Sequence, residues 1–412
     1  MSFFHSRWIE VPPEATERPG GGLPQGFRAA GVTCGIKPSG ESDLGLLVCD
    51  SPQCTSAARF TRSGVLAAPV TVTIESCRLD GVRAVVVNSG NANAATGEPG
   101  LADARVMAQA AAAAAEAPRD AVAVASTGVI GVPLPIEAVI RGIGAAAHEL
   151  APDGDGDFAQ AIRSTDAFSK HACLDVALSG GTVRLSAQAK GAGMIAPNFA
   201  TLLVFVQTDA RLSAQTCDLL LGVTVRRSFE RISVDGQLSP SDTVILQASG
   251  ESGVEVEPES VDELHFGEAL DALLRQLALL VVSDGEGARR VGRVLVRGAD
   301  QDVVDRVARA VADSPLVKTA LYGGDPNWGR IAQAIGMAMP GRAPLAFEIS
   351  IEGVRVCAQG ALVPHDTDTL AVAVAGPEVQ YEIDLPGEGA EAELFFSDLG
   401  HEYVTINADY TT

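Results

Sequence analysis

Short, continuous apolar runs separated by longer amphipathic stretches dominate the first half of the chain. Apolar runs bounded by turn residues are typical of buried strands, whereas apolar residues recurring every three or four positions indicate helices. The pattern therefore predicts an α/β fold. The predicted strands are residues 27–35, 44–50, 82–87 and 121–125, the predicted helices are residues 101–117 and 135–150, and an acidic turn is predicted at residues 152–157.

The hydrophobic pattern changes most sharply around residues 190–209, KGAGMIAPNFATLLVFVQTD. A predicted hairpin, with strands at 173–178 and 182–187, leads into a Gly/Ala turn that begins at Lys190. An apolar run follows Thr201 at once, so this threonine is predicted to begin a buried strand, with its side chain at the loop end. That position suits a nucleophile, although the same pattern also fits a plain turn entering a core strand, where β-branched residues are common.

The second half of the chain alternates between longer helices and strands. Ser213 is predicted to cap a helix that continues through Ile232, and an amphipathic helix is predicted over residues 262–282. A strand–helix–strand pattern then predicts a second, smaller α/β lobe. Its elements are predicted at residues 292–298, 301–313, 345–351 and 354–359.

Composition narrows the functional class. A chain of 412 residues with 47% hydrophobic residues can bury a large core, and its formal net charge of −22 argues against a nucleic-acid partner. The seven cysteines follow no disulfide or metal-ligand spacing, which predicts reduced thiols in the cytoplasm and no metal site. We also expect neither a signal peptide nor a membrane-spanning segment.

Two Gly-containing segments follow predicted strands, NSGNANAATG at residues 88–97 and STGVIG at residues 126–131. Each can be an ordinary loop, but each also allows backbone N–H groups to approach a ligand closely. Glu286 lies in a Gly-bracketed turn that does not suit a core position. Residues 324–330 superficially resemble a phosphate-binding loop, but the Lys-Ser/Thr ending is missing, which argues against an NTPase.

The segment KGAGMIAPNFATLL, residues 190–203, closely resembles the self-cleavage segment of the ornithine acetyltransferase family of arginine biosynthesis. Residues 88–97 and SPLVKTALYGGDPNWGRI at 314–331 also match that family, whereas Ser241 replaces a usual Asn. The resemblance implies a self-cleaving αββα sandwich over about residues 1–285. It also implies that the smaller α/β lobe covers about residues 290–412.

The resemblance further implies cleavage between Ala200 and Thr201. This would give an alpha chain of residues 1–200 and a beta chain of residues 201–412, assembled as a heterotetramer with two copies of each. Thr201 would be the nucleophile, and its new α-amino group, with a reference pKa of about 7.7–8.0, would act as the local base. The sequence has no G-x-S-x-G elbow and its six histidines are isolated, so a Ser-His triad is not expected.

By the same resemblance, Thr127 and Gly128 would form the oxyanion hole. Ser164 and Thr165 are alternatives for one substrate contact, and Thr165 preserves the residue type of the family. The residues implied to bind substrate are Ser164, Thr165, Lys190, Thr201, Glu286, Asn407 and Thr412. Lys190 can pair with the carboxylate of an amino acid and Glu286 with an ammonium, which would fix a zwitterion in one orientation.

The implied reaction transfers acetyl from N2-acetyl-L-ornithine to L-glutamate through an acetyl-Thr201 intermediate, without a cofactor. It would make the chain a glutamate N-acetyltransferase, and acetyl-CoA is left open as a second acetyl donor. One alternative is a self-processed amidase or aminopeptidase of the same fold, in which water replaces glutamate. Another is a non-catalytic binding module, which is hard to reconcile with Thr201, Thr127, Glu286 and Asn407 all being present.

Overall fold

The computed structural model describes residues 2–196, 202–387 and 389–409. Within these residues the chain forms seventeen strands in three sheets and eleven α-helices. The strands are β1 (Ala15–Glu17), β2 (Phe27–Val32), β3 (Leu44–Cys49), β4 (Thr55–Phe60), β5 (Ala84–Asn91), β6 (Val122–Val129), β7 (Lys170–Leu178), β8 (Gly181–Lys190), β9 (Leu203–Thr208), β10 (Ile232–Ser233), β11 (Thr243–Ala248), β12 (Val291–Arg297), β13 (Glu348–Ile351), β14 (Val354–Ala358), β15 (Ala361–Leu362), β16 (Glu378–Asp384) and β17 (Glu391–Ser397). The helices are α1 (Ala68–Ser76), α2 (Gly97–Ala114), α3 (Ile136–Glu149), α4 (Asp155–Ala161), α5 (Ala214–Arg227), α6 (Val261–Ser283), α7 (Gln301–Ala312), α8 (Pro315–Gly323), α9 (Trp328–Ala338), α10 (Thr367–Ala373) and α11 (His401–Asp409).

Two sheets pack face to face in the larger lobe. One has the strand order β1-β7-β8-β9-β11-β4 and the other the order β2-β3-β5-β6. Leu47, Val85 and Ala123 of the four-stranded sheet share one buried cluster with Phe205 and Ile245 of the six-stranded sheet. Strands covered on both faces need apolar residues on both, which explains why these segments are continuous apolar runs rather than alternating ones.

Helices cover the outer face of each sheet. On the four-stranded sheet, α1, α2 and α3 contribute Val72, Met107 and Ile143 to a second buried cluster. On the six-stranded sheet, α5 and α6 contribute Leu221 and Phe266 to a third. The layers are therefore helices, sheet, sheet and helices, and the predicted αββα sandwich is confirmed.

The third sheet builds the predicted smaller α/β lobe. Its strand order is β10-β17-β12-β16-β13-β14-β15, with β12 and β16 parallel. Helices α7 and α9 pack on it through Val304, Val307 and Ile335. Because β10 follows α5 in the chain and pairs with β17, the larger lobe supplies one edge strand of this sheet.

The helix that follows Ser213 is shorter than predicted. The Ser213 hydroxyl caps α5 as expected, accepting the N–H of Thr216 at 3.0 Å. The helix ends at Arg227 instead of Ile232, because the backbone leaves the helical conformation at Ser228 (φ −116°, ψ −86°). The chain then continues into β10, whose pairing with β17 requires an extended backbone.

The acidic turn predicted at residues 152–157 is in part a helix. Helix α4 begins at Asp155, inside the predicted turn. Its Phe158 is fully buried, and the ring centroid lies 5.5 Å from that of Phe205. This helix was not predicted because it is short and its acidic residues stand next to the apolar residues that fill the gap between the sheets.

All seven cysteines are free thiols, and five of them are buried. Across the described residues, no helix combines the length and the apolar character needed to cross a membrane.

Candidate active site

The carboxyl ends of β5 and β6 lie side by side and carry the Gly-containing segments. Both strands continue past their predicted ends, so Thr127 pairs with Ser89 and Gly128 pairs with Gly90 in the parallel ladder. Gly128 has a φ of +128°, and a Cβ at this position would collide with the backbone of Gly90. Only glycine allows the two backbones to approach this closely, so the position that follows Thr127 must be glycine.

A buried hydrogen-bond network fixes the backbone around Thr127. The side-chain amide of Asn88 donates to the carbonyl of Asn91 at 2.8 Å, and the Ser126 hydroxyl donates to Asn88 Oδ1 at 2.5 Å. Asn91 Oδ1 accepts the N–H of Asn93 at 2.8 Å. Since buried networks of this kind restrict their members to one arrangement, the small polar residues of the 88–97 segment hold the Thr127 turn in place.

Lys190 is the last residue of β8, and only 2% of it is exposed. Its Nζ lies 3.1 Å from Oγ1 of Thr127. The contact joins the two sheets, because β6 belongs to the four-stranded sheet and β8 to the six-stranded one. Burial lowers the pKa of Lys190, while the negative charges of Asp166, Asp242 and Glu286 act in the opposite direction.

A buried ion-pair cluster lies beside this contact. Nζ of Lys170 is 2.7 Å from Asp166 Oδ1 and 2.5 Å from Asp284 Oδ2. Asp166 Oδ1 also accepts the N–H of Gly191 at 2.7 Å, and Asp284 Oδ2 accepts the N–H of Ala167 at 3.1 Å. The cluster therefore ties together the segment before β7, the end of β8 and the end of α6.

The pKa values of the two carboxyl groups of this cluster are shifted in opposite directions. Burial disfavours ionisation of Asp166, but Lys170 and Lys190 outweigh it and hold the pKa of that carboxyl well below its usual range. For Asp284 burial prevails over the attraction of Lys170, and its pKa is raised. Asp166 is thus the permanent negative charge beside Lys170 and Lys190.

Ser164 and Thr165 come immediately before this cluster. Both are half-buried, and the N–H of Ser164 donates to Asp166 Oδ2 at 3.0 Å. Since Asp166 also holds the N–H of Gly191, both residues lie beside the segment that carries Lys190. Both remain candidates for the substrate contact.

Glu286 and Asn407, which are 121 residues apart, meet in the structure. Nδ2 of Asn407 donates to Glu286 Oε2 at 2.7 Å. The backbone N–H of Glu286 donates to the carbonyl of Ala192 at 3.0 Å, and Gly193 lies against the Glu286 carboxylate. The predicted substrate residue of the tail therefore reaches the loop that follows Lys190.

Ala200, Thr201 and Thr412 lie outside the described residues. Next to them in the sequence, the N–H of Leu202 donates to Oδ1 of Asp242 at 3.1 Å. Asp242 is completely buried, and burial raises its pKa well above the usual value even though the N–H of Leu202 lowers it.

Four acidic or basic residues of this region were not selected from the sequence: Asp166, Lys170, Asp242 and Asp284. Each stands within a few residues of a selected position or at the start of an apolar strand. A charged residue at such a place is a usable signal, because burying it requires a partner. Which residues pair with them depends on the folded chain and could not be predicted from the sequence.

Comparisons with known proteins cover nearly the whole chain. A family model described as ArgJ family matches residues 28–412. The chain is 43% identical over 397 residues to the arginine biosynthesis bifunctional protein ArgJ of Rhodopirellula baltica, covering 95% of this chain and 96% of that protein. It is also 43% identical over 390 residues to the ArgJ protein of Nitratidesulfovibrio vulgaris, covering 94% and 98% of the two chains. Among solved structures, the ornithine acetyltransferase of Mycobacterium tuberculosis in complex with ornithine is 39% identical, with a TM-score of 0.42, and the match covers 46% of this chain and 99% of that one.

Proposed function

The chain belongs to the ArgJ family, and on this premise we propose that it transfers the acetyl group of N2-acetyl-L-ornithine to L-glutamate in arginine biosynthesis. The observation that carries the proposal is the meeting of Thr127, Lys190 and Glu286 at one end of the sandwich. Lys190 pairs with Leu203 across β8 and β9, two residues after Thr201 in the sequence. This pairing sets Lys190 opposite the start of the strand that follows the proposed nucleophile in the sequence, which supports the proposal.

In the proposed reaction, cleavage before Thr201 releases an α-amino group beside the hydroxyl of the same residue. The amine accepts the hydroxyl proton while Oγ attacks the acetyl carbonyl, and ornithine leaves with its nitrogen protonated. The α-amine of glutamate then attacks the acetyl ester, which regenerates Thr201 and yields N-acetyl-L-glutamate. In each tetrahedral state, the Thr127–Gly128 turn donates hydrogen bonds to the negatively charged oxygen.

Opposite charges orient the amino-acid substrates. Lys190 and Glu286 flank the loop of residues 191–193, and the negative charge of Glu286 favours the charged form of Lys190. A carboxylate of the substrate would lie towards Lys190 and an ammonium towards Glu286 and Asn407. Holding both ends of a zwitterion in this way fixes the position of the reacting atom between them.

Acetyl-CoA as a second donor is favoured by one observation, namely that the relatives are called bifunctional. We propose that the same acetyl-Thr201 can form from acetyl-CoA, which would then be a substrate and not a resident cofactor. Turnover of glutamate with acetyl-CoA and with N2-acetyl-L-ornithine, measured on one preparation, tests this. Activity with acetyl-ornithine alone would restrict the chain to the transfer reaction.

The proposed assembly contains two copies of residues 1–200 and two of residues 201–412, and we propose that it works in the cytoplasm. Seven free cysteines suit a reducing compartment. Native mass spectrometry should give the mass of four polypeptides, and a single pair of fragments would reject the tetramer.

The central experiment is mass spectrometry of the purified protein combined with an acetyl-transfer assay. We expect two fragments that meet between Ala200 and Thr201, and release of ornithine that depends on added glutamate. Thr201→Ala should give an intact, inactive chain, whereas Thr182→Ala, at an exposed threonine of the β7–β8 hairpin, should be cleaved and active. An intact chain with full activity would reject the proposed nucleophile, and ornithine release without glutamate would favour the amidase.

A further inference from the structure

The contact between Lys190 and Thr127 constrains the direction of a proton. A lysine ammonium carries three donors and no acceptor, so in a hydrogen bond with a hydroxyl it must donate. Nζ of Lys190 is 3.1 Å from Oγ1 of Thr127, and both residues are almost completely buried. While Lys190 is charged, the Thr127 oxygen is therefore an acceptor, and the proton of its hydroxyl must point to another partner.

We propose that Lys190 is a positioning residue for the oxyanion hole: it holds the Thr127 hydroxyl so that its proton is directed at the developing oxyanion. This inference rests on the proposed function and deepens it, because it gives Lys190 a role beyond attraction of a substrate carboxylate. The ammonium also places a positive charge next to the hydroxyl oxygen of Thr127, with which it forms a hydrogen bond. A donor whose oxygen already accepts a charged hydrogen bond is polarised and donates more strongly.

The surroundings of Lys190 maintain this arrangement. The groups that face it are Asp166 from the segment before β7, Lys170 from β7, Asp242 from the turn before β11, Glu286 from the turn after α6, and Thr127 from β6. The negative charge of Asp166 favours the charged form of Lys190, whereas the charge of Lys170 opposes it. Packing restricts both side chains as well, since β6 and β8 lie in different sheets and both residues are only 2% exposed.

Loss of the proton from Lys190 reverses the hydrogen bond. A neutral amine has a lone pair, so it can accept from Thr127, and the hydroxyl would then turn away from the oxyanion. Burial lowers the pKa of Lys190, which brings this change closer to the working pH. We therefore expect kcat to fall on the alkaline side as the pH rises through the pKa of Lys190.

A double-mutant cycle separates this role from carboxylate binding alone. Thr127→Val removes the hydroxyl at nearly constant shape, and Lys190→Met removes the charge. If Lys190 acts through Thr127, each single variant should lower kcat by about 10²-fold, the usual cost of one oxyanion donor, and the double variant should be no more than about threefold below Thr127→Val. Losses that multiply to about 10⁴-fold, or a Lys190→Met loss confined to KM, would overturn the proposal.

A matched pair calibrates the cycle. Glu286 has no hydrogen bond to Thr127 in the described residues, so Glu286→Gln and Thr127→Val should multiply in their effects. Where slow self-cleavage limits the amount of mature enzyme, the rate of fragment formation replaces kcat as the measured quantity. An oxyanion also forms at the Ala200 carbonyl during self-cleavage, so the same hydrogen-bond donors act in that step.

The unsubstituted protein serves as the reference in every comparison. If it formed no fragments and transferred no acetyl group, the proposed function itself would be rejected.

The pH profile gives a second measurement that needs only Thr127→Val and no change at Lys190. In Thr127→Val there is no hydroxyl whose orientation depends on the protonation of Lys190. The fall in kcat at alkaline pH should therefore disappear in this variant. Persistence of the same alkaline fall in that variant would overturn the proposal even if Lys190→Met failed to fold.

Discussion

At the residue scale, Asp242 has the clearest pH dependence. Burial raises its pKa well above the usual value, whereas the N–H of Leu202, the hydroxyls of Thr61 and Ser239 and the charge of Lys190 lower it. The folded chain therefore binds this proton more tightly than the unfolded chain does. The corresponding stability is fully present below the ordinary carboxyl pKa of about 4 and is lost as the pH rises through the raised value.

Asp242→Asn should remove this loss, because the amide stays neutral at every pH and its oxygen can still accept from Leu202. In thermal unfolding scans, the melting temperature of the variant, relative to the parent, should rise as the pH increases above the ordinary carboxyl pKa of about 4. Asp262→Asn is the control, since the hydroxyl and N–H of Ser179 lower the pKa of that carboxyl. Its titration therefore lies below about pH 4, and the difference between this variant and the parent should not change with pH over the same range. A difference between Asp242→Asn and parent that does not change with pH would contradict the expected titration.

Gly128 is a second residue whose replacement has a calculable consequence. With a φ of +128° and the Gly90 backbone in contact, Gly128→Ala should destabilise the chain by about 2 kcal/mol or more and slow fragment formation by about 10²-fold. Gly131 also has a positive φ, +80°, but open space at its Cβ position. Gly131→Ala should therefore carry only backbone strain and leave the cleavage rate close to that of the parent, as measured by gel densitometry after synthesis. Equal cleavage rates for the two variants would show that cleavage does not require the close approach of the Gly128 and Gly90 backbones.

At the element scale, a buried ion-pair cluster joins segments that carry the site and that are distant in the sequence. Lys170 joins the segment before β7 to the end of α6 through Asp166 and Asp284. Removing one partner of a buried ion pair leaves the remaining charge buried and unpaired. The resulting loss of stability is larger than the net stabilisation that the intact pair provides.

Lys170→Met should therefore lower the free energy of unfolding by about 3–5 kcal/mol, as measured by urea denaturation. The comparison is Arg28→Met, which removes a cation from the largely exposed pair between Arg28 and Asp50, 2.7 Å apart, and should cost at most about 1 kcal/mol. Similar values for the two variants would mean that the buried cluster contributes no more than a surface pair.

Strands covered on both faces were predictable from the sequence, and the ion-pair cluster was not, for one physical reason. A strand such as β5 is apolar because both of its faces are covered, so Val85 and Val87 reveal their burial locally. Lys170 and Asp284 are 114 residues apart, and nothing in either segment specifies the other. The same limit applies to β10, whose strand pairing depends on β17. The substrate-binding roles of Glu286 and Asn407 were implied only by the family resemblance.

At the scale of the whole molecule, the C-terminal tail connects the two lobes over the site. Helix α11 buries none of its residues, yet Glu402 is 2.5 Å from Arg289 and 3.2 Å from the hydroxyl of Tyr322 in α8. Asn407 in the same helix reaches Glu286. The tail is therefore attached by polar contacts at the edge of the site, and it contributes little to the apolar core.

Deletion of residues 401–412 should separate the contribution of the tail to substrate binding from its contribution to stability. Because α11 buries no side chain, the melting temperature should change by no more than about 2 °C, and self-cleavage should proceed. KM for glutamate should rise by about tenfold or more, since a hydrogen bond to a charged group is worth about 1.5–3 kcal/mol. Asn407→Ala should reproduce most of that increase, whereas Thr405→Ala, which loses only a hydrogen bond to His401 in the same helix, should leave KM unchanged. An unaltered KM in the deletion variant would show that substrate binding does not use the tail, and a large fall in melting temperature would show that the tail belongs to the core after all.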